Sequence, residues 1–154
     1  MYRAKERGGG WWVYSRHQDD RDVRRLELMS DLRDAIESGQ LQVHYQPRID
    51  LAGAVPVGLE ALVRWNHPVH GLLAPEEFIE LAEVSGCIGA LTRFVTTRAV
   101  HETADLLTDG ALVLSVNLSS RNLHDPALVE WLRELLGERA SGRASSASRS
   151  PRPS

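Results

Sequence analysis

The chain has little of several things, and each shortage narrows its role. One cysteine, Cys87, stands among 154 residues, so no internal disulfide can form, and a lone thiol fits a reducing cytoplasm better than a secreted scaffold. The apolar runs fall far short of the ~18 residues needed to cross a bilayer, and the start, Met1-Tyr2-Arg3-Ala4-Lys5, lacks the apolar stretch of a signal peptide. Neither sign of charge dominates: the formal net charge of -3 gives no global attraction to DNA, RNA or an anionic membrane. There is no phosphate-cradling glycine loop and no internal repeat. What remains is an ordinary soluble composition, 42% hydrophobic and 25% charged, at the size of one domain.

Patterning gives the order of elements. Gly8 to Trp12 reads as a turn entering a short strand at Val13-Tyr14. From Asp22 to Ser38, Val23, Leu26, Met29, Leu32 and Ile36 recur at helical spacing, and Gly39 terminates the run. Two strands follow, Leu41 to Leu51 and Val55 to Trp65, separated only by Ala52-Gly53-Ala54. So short a link forces an antiparallel pair, because a parallel crossover takes a dozen residues or more.

Beyond a loop with His67-Pro68 and Gly71, Pro75-Glu76-Glu77 opens a helix that ends near Gly86. Another helix is expected over Ile88 to Leu107, stopped by Asp109-Gly110 before a strand over Ala111 to Asn117. Asp125-Pro126 caps a last helix, whose apolar side carries Leu128, Trp131, Leu132 and Leu135 and which Gly137 can close. The Ser/Arg-rich stretch from 137 to 154 has no residue able to anchor a core and is expected to be disordered. Strand-helix alternation in the second half points to an α/β barrel or layered sheet, cut short.

Within Val57-Gly58-Leu59-Glu60-Ala61-Leu62-Val63-Arg64-Trp65 an acid sits inside an apolar strand. An unpaired ionised carboxylate there costs several kcal/mol, so Glu60 calls for a cation, a hydrogen-bond network or a metal. Alternation puts Glu60, Leu62 and Arg64 on one face. At ~3.3 Å per residue, Glu60 and Arg64 stand roughly 13 Å apart, too far to pair directly but suited to two parts of one anionic ligand. A structural ion pair is the competing reading. Asn117 ends the strand Leu112 to Val116 and either caps the following loop or, with Glu60, forms half of an oxygen-donor metal site at carboxyl ends of strands. Mg²⁺ wants about six oxygens, so more acids are needed. His67 and His70 lie in a Pro- and Gly-containing loop without further ligands for zinc, and Ser119 and Ser120 near His124 lack a nucleophile elbow.

Five linked motifs resemble the EAL domain family: Val43-His44-Tyr45-Gln46-Pro47; Gly58 to Trp65, with Glu60-Ala61-Leu62 as the name triplet; His67-Pro68; Gly71-Leu72-Leu73 with Pro75 to Ile79; and Val116-Asn117-Leu118-Ser119. The resemblance covers residues 26 to 136 and implies the N-terminal half of a modified TIM (β/α)8 barrel with an antiparallel first strand. It further implies cyclic di-GMP as ligand, hydrolysed to pGpG with Mg²⁺ or Mn²⁺. Glu60 and Asn117 would be metal ligands, Arg64 would contact a phosphate, Leu62 would line the nucleotide site, and Gln46 is a further substrate-binding candidate.

The family's later acids, lysine and glutamine positions are not found, and a full barrel takes about 250 residues. Little or no turnover by this chain alone is therefore expected, with a non-catalytic cyclic di-GMP or partner-binding module, or a functionless remnant, as alternatives. Residues 1 to 15 resemble the end of a GGDEF domain, which makes 16 to 25 a linker and a tandem GGDEF-EAL signalling protein the expected parent. A half barrel also leaves strand edges and an apolar inner face open to self-association.

Overall fold

A computed structural model describes residues 16–107, 112–122 and 125–147. The expected turn and strand at 8–14, the Asp109-Gly110 stop and His124 lie outside the described residues, as does the chain after 147.

Helix α1 (Arg16–Glu37) is followed by the strands β1 (Leu41–Asp50) and β2 (Val55–His67). They pair antiparallel from Leu41↔Trp65 to Asp50↔Val55, with a register shift between Arg48 and Ile49. The short link, four residues from Leu51 to Ala54 because β1 ends at Asp50, thus gives the hairpin it demands. A short strand β3 (Gly71–Leu73), read as loop in the sequence, returns along β2 from Trp65↔Leu73 to His67↔Gly71. Helices α2 (Pro75–Ser85) and α3 (Ile88–Glu102) precede β4 (Val113–Val116), which lies parallel to β2 from Gly58↔Val113 to Ala61↔Val116. Helix α4 (Pro126–Ala147) ends the described chain.

The ends of the elements have local causes. Pro75 starts α2, Glu77 reaches back to the Ala74 N–H at 3.1 Å, and Gly86 ends the helix at φ 78°, a left-handed conformation that glycine adopts without strain. Helix α3 stops at Glu102, earlier than the expected Leu107: the Thr103 hydroxyl donates to the Ala99 carbonyl at 2.7 Å and the chain passes into turns.

Two helices are longer than expected. The first reaches back to Arg16 rather than beginning at Asp22, so residues 16–25 are helical; the arginines and Gln18 there are good helix formers. The last passes through Gly137 to Ala147 instead of closing at the glycine. An interior glycine costs only about 1 kcal/mol relative to alanine, and Glu138, Arg139 and Ala140 favour continuation.

The core lies between the sheet and the helices. Odd-numbered residues of β2 face it: Ala61, Val63, Trp65 and His67 are buried. Trp65 is fully enclosed, edge-on to Phe78 of α2 with ring centroids 5.6 Å apart, and its indole N–H donates to Gln40 Oε1 at 3.0 Å. Leu28, Leu32 and Ala35 of α1 join Leu81 and Ala82 of α2 and Leu91 and Val95 of α3 in the same cluster. Full burial of each large side chain contributes about 1.5–3 kcal/mol. Ion pairs Arg24–Glu77 (2.9 Å) and Arg25–Glu80 (2.7 Å) tie α1 to α2 at the exposed rim, where such pairs add little.

Candidate functional site

The opposite face of the sheet is polar and open. Even-numbered positions of β1 bring Gln42, His44, Gln46 and Arg48 to it, all exposed, and β2 brings Glu60, Leu62 and Arg64, all half-buried. Register sets them abreast: Gln46 lies opposite Glu60 on one side and Ser115 of β4 opposite it on the other. The expected sharing of one face by Glu60, Leu62 and Arg64 is therefore found, and so is a place for Gln46 beside them.

Just past the carboxyl end of β4, the Asn117 side-chain amide donates to Glu60 Oε1 at 2.8 Å. The parallel pairing of β2 and β4 makes this contact possible, and Gly58 makes the pairing possible. A Cβ at position 58 would stand 2.5 Å from the Val113 carbonyl oxygen, so only glycine lets the strands approach this closely. Glu60 is not sealed in an apolar environment, which lowers the desolvation cost inferred from its apolar neighbours. Its observed partner is an amide.

Arg64 turns its guanidinium to the Val63 carbonyl at 2.8 Å and so makes no direct pair with Glu60. Two participants escaped the sequence reading. Arg48 donates to the Ser115 hydroxyl at 3.0 Å, bridging β1 and β4 across β2. The signal was available: polar residues at 42, 44, 46 and 48 repeat with the period of a strand face.

The loop after β4 is held by the helices. Ser119 Oγ donates to Glu83 Oε1 at 2.6 Å, the Arg121 guanidinium donates to the Glu83 carbonyl at 2.6 Å, and the buried Asn122 amide donates to the Thr92 hydroxyl. Ser119 thus has an anchoring role rather than that of a nucleophile. Beneath this loop a cavity of about 170 Å³, lined mostly by Ile79, Ile88, Leu91, Val95 and Leu118, opens toward Asn117. Pockets for drug-sized ligands run from about 300 Å³ upward, so a dinucleotide would need the open polar face rather than this cavity.

His67 is buried, and its Nδ1 accepts from the Val69 and His70 N–H groups at 3.1 and 3.3 Å, shaping the turn into β3. With Nδ1 so occupied, the pair serves structure rather than zinc. Among the described residues no group of three or more His, Cys, Asp or Glu side chains could hold a metal ion. Glu60 and Asn117 do fit part of a hard-cation site, one carboxylate and one amide at contact distance, with the remaining oxygens to come from water or other residues. No helix among the described residues is long and apolar enough to cross a membrane.

Comparison with known proteins agrees with the geometry. The family model described as "EAL domain" matches residues 29–146. An uncharacterized signaling protein of Caulobacter vibrioides is 42% identical over 137 residues, 88% of this chain and 17% of its own length. The cyclic di-GMP phosphodiesterase PdeR of Escherichia coli is 41% identical over 140 residues, 90% of this chain and 21% of its own. Among solved structures, the PaMucR phosphodiesterase in complex with c-di-GMP superposes with a TM-score of 0.70 at 35% identity, covering 74% of this chain and 47% of that one. The chain thus spans about a fifth of the curated relatives and about half of the solved domain. With the antiparallel β1–β2 pair, the parallel β4 and the Glu60–Asn117 contact all in place, the chain belongs to the EAL domain family, a TIM-barrel-like α/β fold.

Proposed function

We propose that the polar face of β1, β2 and β4 binds cyclic di-GMP and contributes the first two metal ligands to its hydrolysis to pGpG. The observation that carries this reading is the 2.8 Å contact between Asn117, just past the carboxyl end of β4 where barrel active sites are built, and Glu60 in the middle of the adjacent parallel strand β2. The names of PdeR and of the c-di-GMP-bound PaMucR structure support it.

In this reading Glu60 and Asn117 hold Mg²⁺ or Mn²⁺, which when bound supplies an activated water and charge stabilisation at the phosphodiester. Glu60 offers a charged oxygen, and Asn117 offers its carbonyl oxygen once its amide turns from the carboxylate. Arg64 sits on the same face two alternations along, placed to meet a phosphate with a planar fork of donors. Leu62 lies between Glu60 and Arg64 as an apolar floor for the nucleotide, and Gln46 offers an amide abreast of Glu60. Arg48 and Ser115 fix the sheet edge beside them.

A second reading, recognition without turnover, draws on the fact that among the described residues Glu60 has no further His, Cys, Asp or Glu grouped with it to complete a three-ligand set. The two divide cleanly in one experiment on the purified chain, a calorimetric titration of cyclic di-GMP with Mn²⁺ together with a pGpG assay. Binding with pGpG release supports hydrolysis by this chain, binding without it supports recognition alone, and no binding at millimolar nucleotide defeats both. We place the protein in the cytoplasm, as the EAL part of a tandem GGDEF-EAL parent with residues 1–15 from the GGDEF domain and 16–25 as a helical connection. Among the described residues β4 pairs only with β2, and its other edge, with Val113 exposed, is a surface through which self-association would proceed.

A further inference from the structure

We infer that Glu83, in the last turn of α2, is a positioning residue that sets Asn117 against Glu60 by latching the loop that follows Asn117; the inference rests on the reading of Glu60 and Asn117 as metal ligands. An acid is out of place where Glu83 stands. The carboxyl end of a helix carries partial negative charge, and α2 has no basic residue in its last turn to offset it. The offset comes from across the fold. Arg121 donates to the Glu83 backbone carbonyl, one of the carbonyls that the helix end leaves without a helical partner, at 2.6 Å. The Glu83 carboxylate accepts the Ser119 hydroxyl at 2.6 Å, while Ser119 Oγ in turn accepts the Arg121 N–H at 3.2 Å.

One residue of α2 therefore grips the loop twice, by backbone and by side chain. Ser119 is two residues beyond Asn117, and nothing but Leu118 lies between the latched hydroxyl and the amide that meets Glu60. A second clasp, from Asn122 to Thr92 of α3, fixes the far end of the same loop. With Asn117 exposed and bonded to Glu60 alone among the described side chains, the direction of its side chain follows from where the loop is tied. A partner that orients a ligand in this way commonly controls metal affinity by 10–100-fold.

The test uses the full chain and two readouts, the side-chain amide resonances of Asn117 by NMR without metal, and the affinity for Mn²⁺ alone. Glu83→Ala and Ser119→Ala should each move the Asn117 amide protons toward their free-solution positions and speed their exchange, and should weaken Mn²⁺ binding about 10–100-fold. Glu83→Gln, whose amide oxygen can still accept from Ser119, should restore both. Ser119→Ala removes a single oxygen from a loop and serves where Glu83→Ala fails to fold. Unchanged Asn117 resonances in both alanine variants would overturn the inference. Wild-type protein that takes up no Mn²⁺ would instead defeat the metal reading, while the amide resonances still decide whether Glu83 positions Asn117.

Discussion

Asn117 and Glu60, fifty-seven positions apart in the chain, meet through a 2.8 Å hydrogen bond from amide to carboxylate. The contact joins the loop after β4 to the middle of β2, and it depends on strand register and on the close approach at Gly58. Because Asn117 is exposed and Glu60 half-buried, the pair adds little to stability. Asn117→Ala should change the unfolding free energy by no more than about 1 kcal/mol in urea titration, the usual net worth of a hydrogen bond. The same substitution should weaken cyclic di-GMP binding in the presence of Mn²⁺ at least about tenfold, a difference of about 1.4 kcal/mol.

Gly58→Ala acts on the same contact from a distance. The added methyl would overlap the Val113 carbonyl, so β4 must move away from β2 or the sheet must distort. Overpacking of this kind costs typically 1–3 kcal/mol. A lowered midpoint in thermal or urea unfolding, together with weaker Mn²⁺ binding, is the expected outcome; a variant as stable as the wild type would show that the two strands can separate freely.

Much of this was legible in the sequence, for reasons that differ by residue. The link Ala52-Gly53-Ala54 permits only a hairpin, and Pro75 and Gly86 bracket α2 by backbone chemistry alone. Glu60 stood out because a charge interrupts an apolar run. Period-two alternation then assigned Leu62 and Arg64 to its face. Helix ends were less readable: the start of α1 and the continuation of α4 past Gly137 turn on weak propensities that no single residue decides. The partners of Arg48, Ser115 and Glu83 were invisible for another reason. They lie 67 and 36 residues away along the chain, and only the folded register brings the pairs together.

Helix α1 is part of the core and not merely an appendage before it. Leu32 is wholly buried among α2 and sheet residues, whereas Leu26, one face away, is 65% exposed. Leu32→Ala should cost about 2–5 kcal/mol, the range for emptying a buried leucine site. Leu26→Ala should stay within about 0.5 kcal/mol of the wild type. Equal effects at the two positions, measured by urea denaturation, would mean that α1 does not dock in this orientation.

Tyr45 links β1 to α3 through its hydroxyl, which donates to Glu102 Oε2 at 2.7 Å. Partial burial, then the hydrogen bond and the negative charge of Glu102, raise the phenol well above its usual value of about 10. A raised folded-state value means that the contribution to stability is complete below about pH 10, where the unfolded phenol keeps its proton. It is lost as pH climbs from there through the folded-state value. Tyr45→Phe should cost about 0.5 kcal/mol near neutrality, the low end for a hydrogen bond at a half-open site, and should remove part of the alkaline slope. Urea midpoints measured between about pH 8 and 11 check both the size and the sign.

The central claim is that Glu60 and Asn117 together form a cation site, and paramagnetic NMR with Mn²⁺ tests it most directly. Substoichiometric Mn²⁺ should broaden the side-chain signals of Asn117 and Glu60 first, then those of Leu62 and Ser115, and Glu60→Gln should abolish the localised effect. Broadening centred elsewhere, or spread evenly over the surface carboxylates and unaltered by Glu60→Gln, would contradict it.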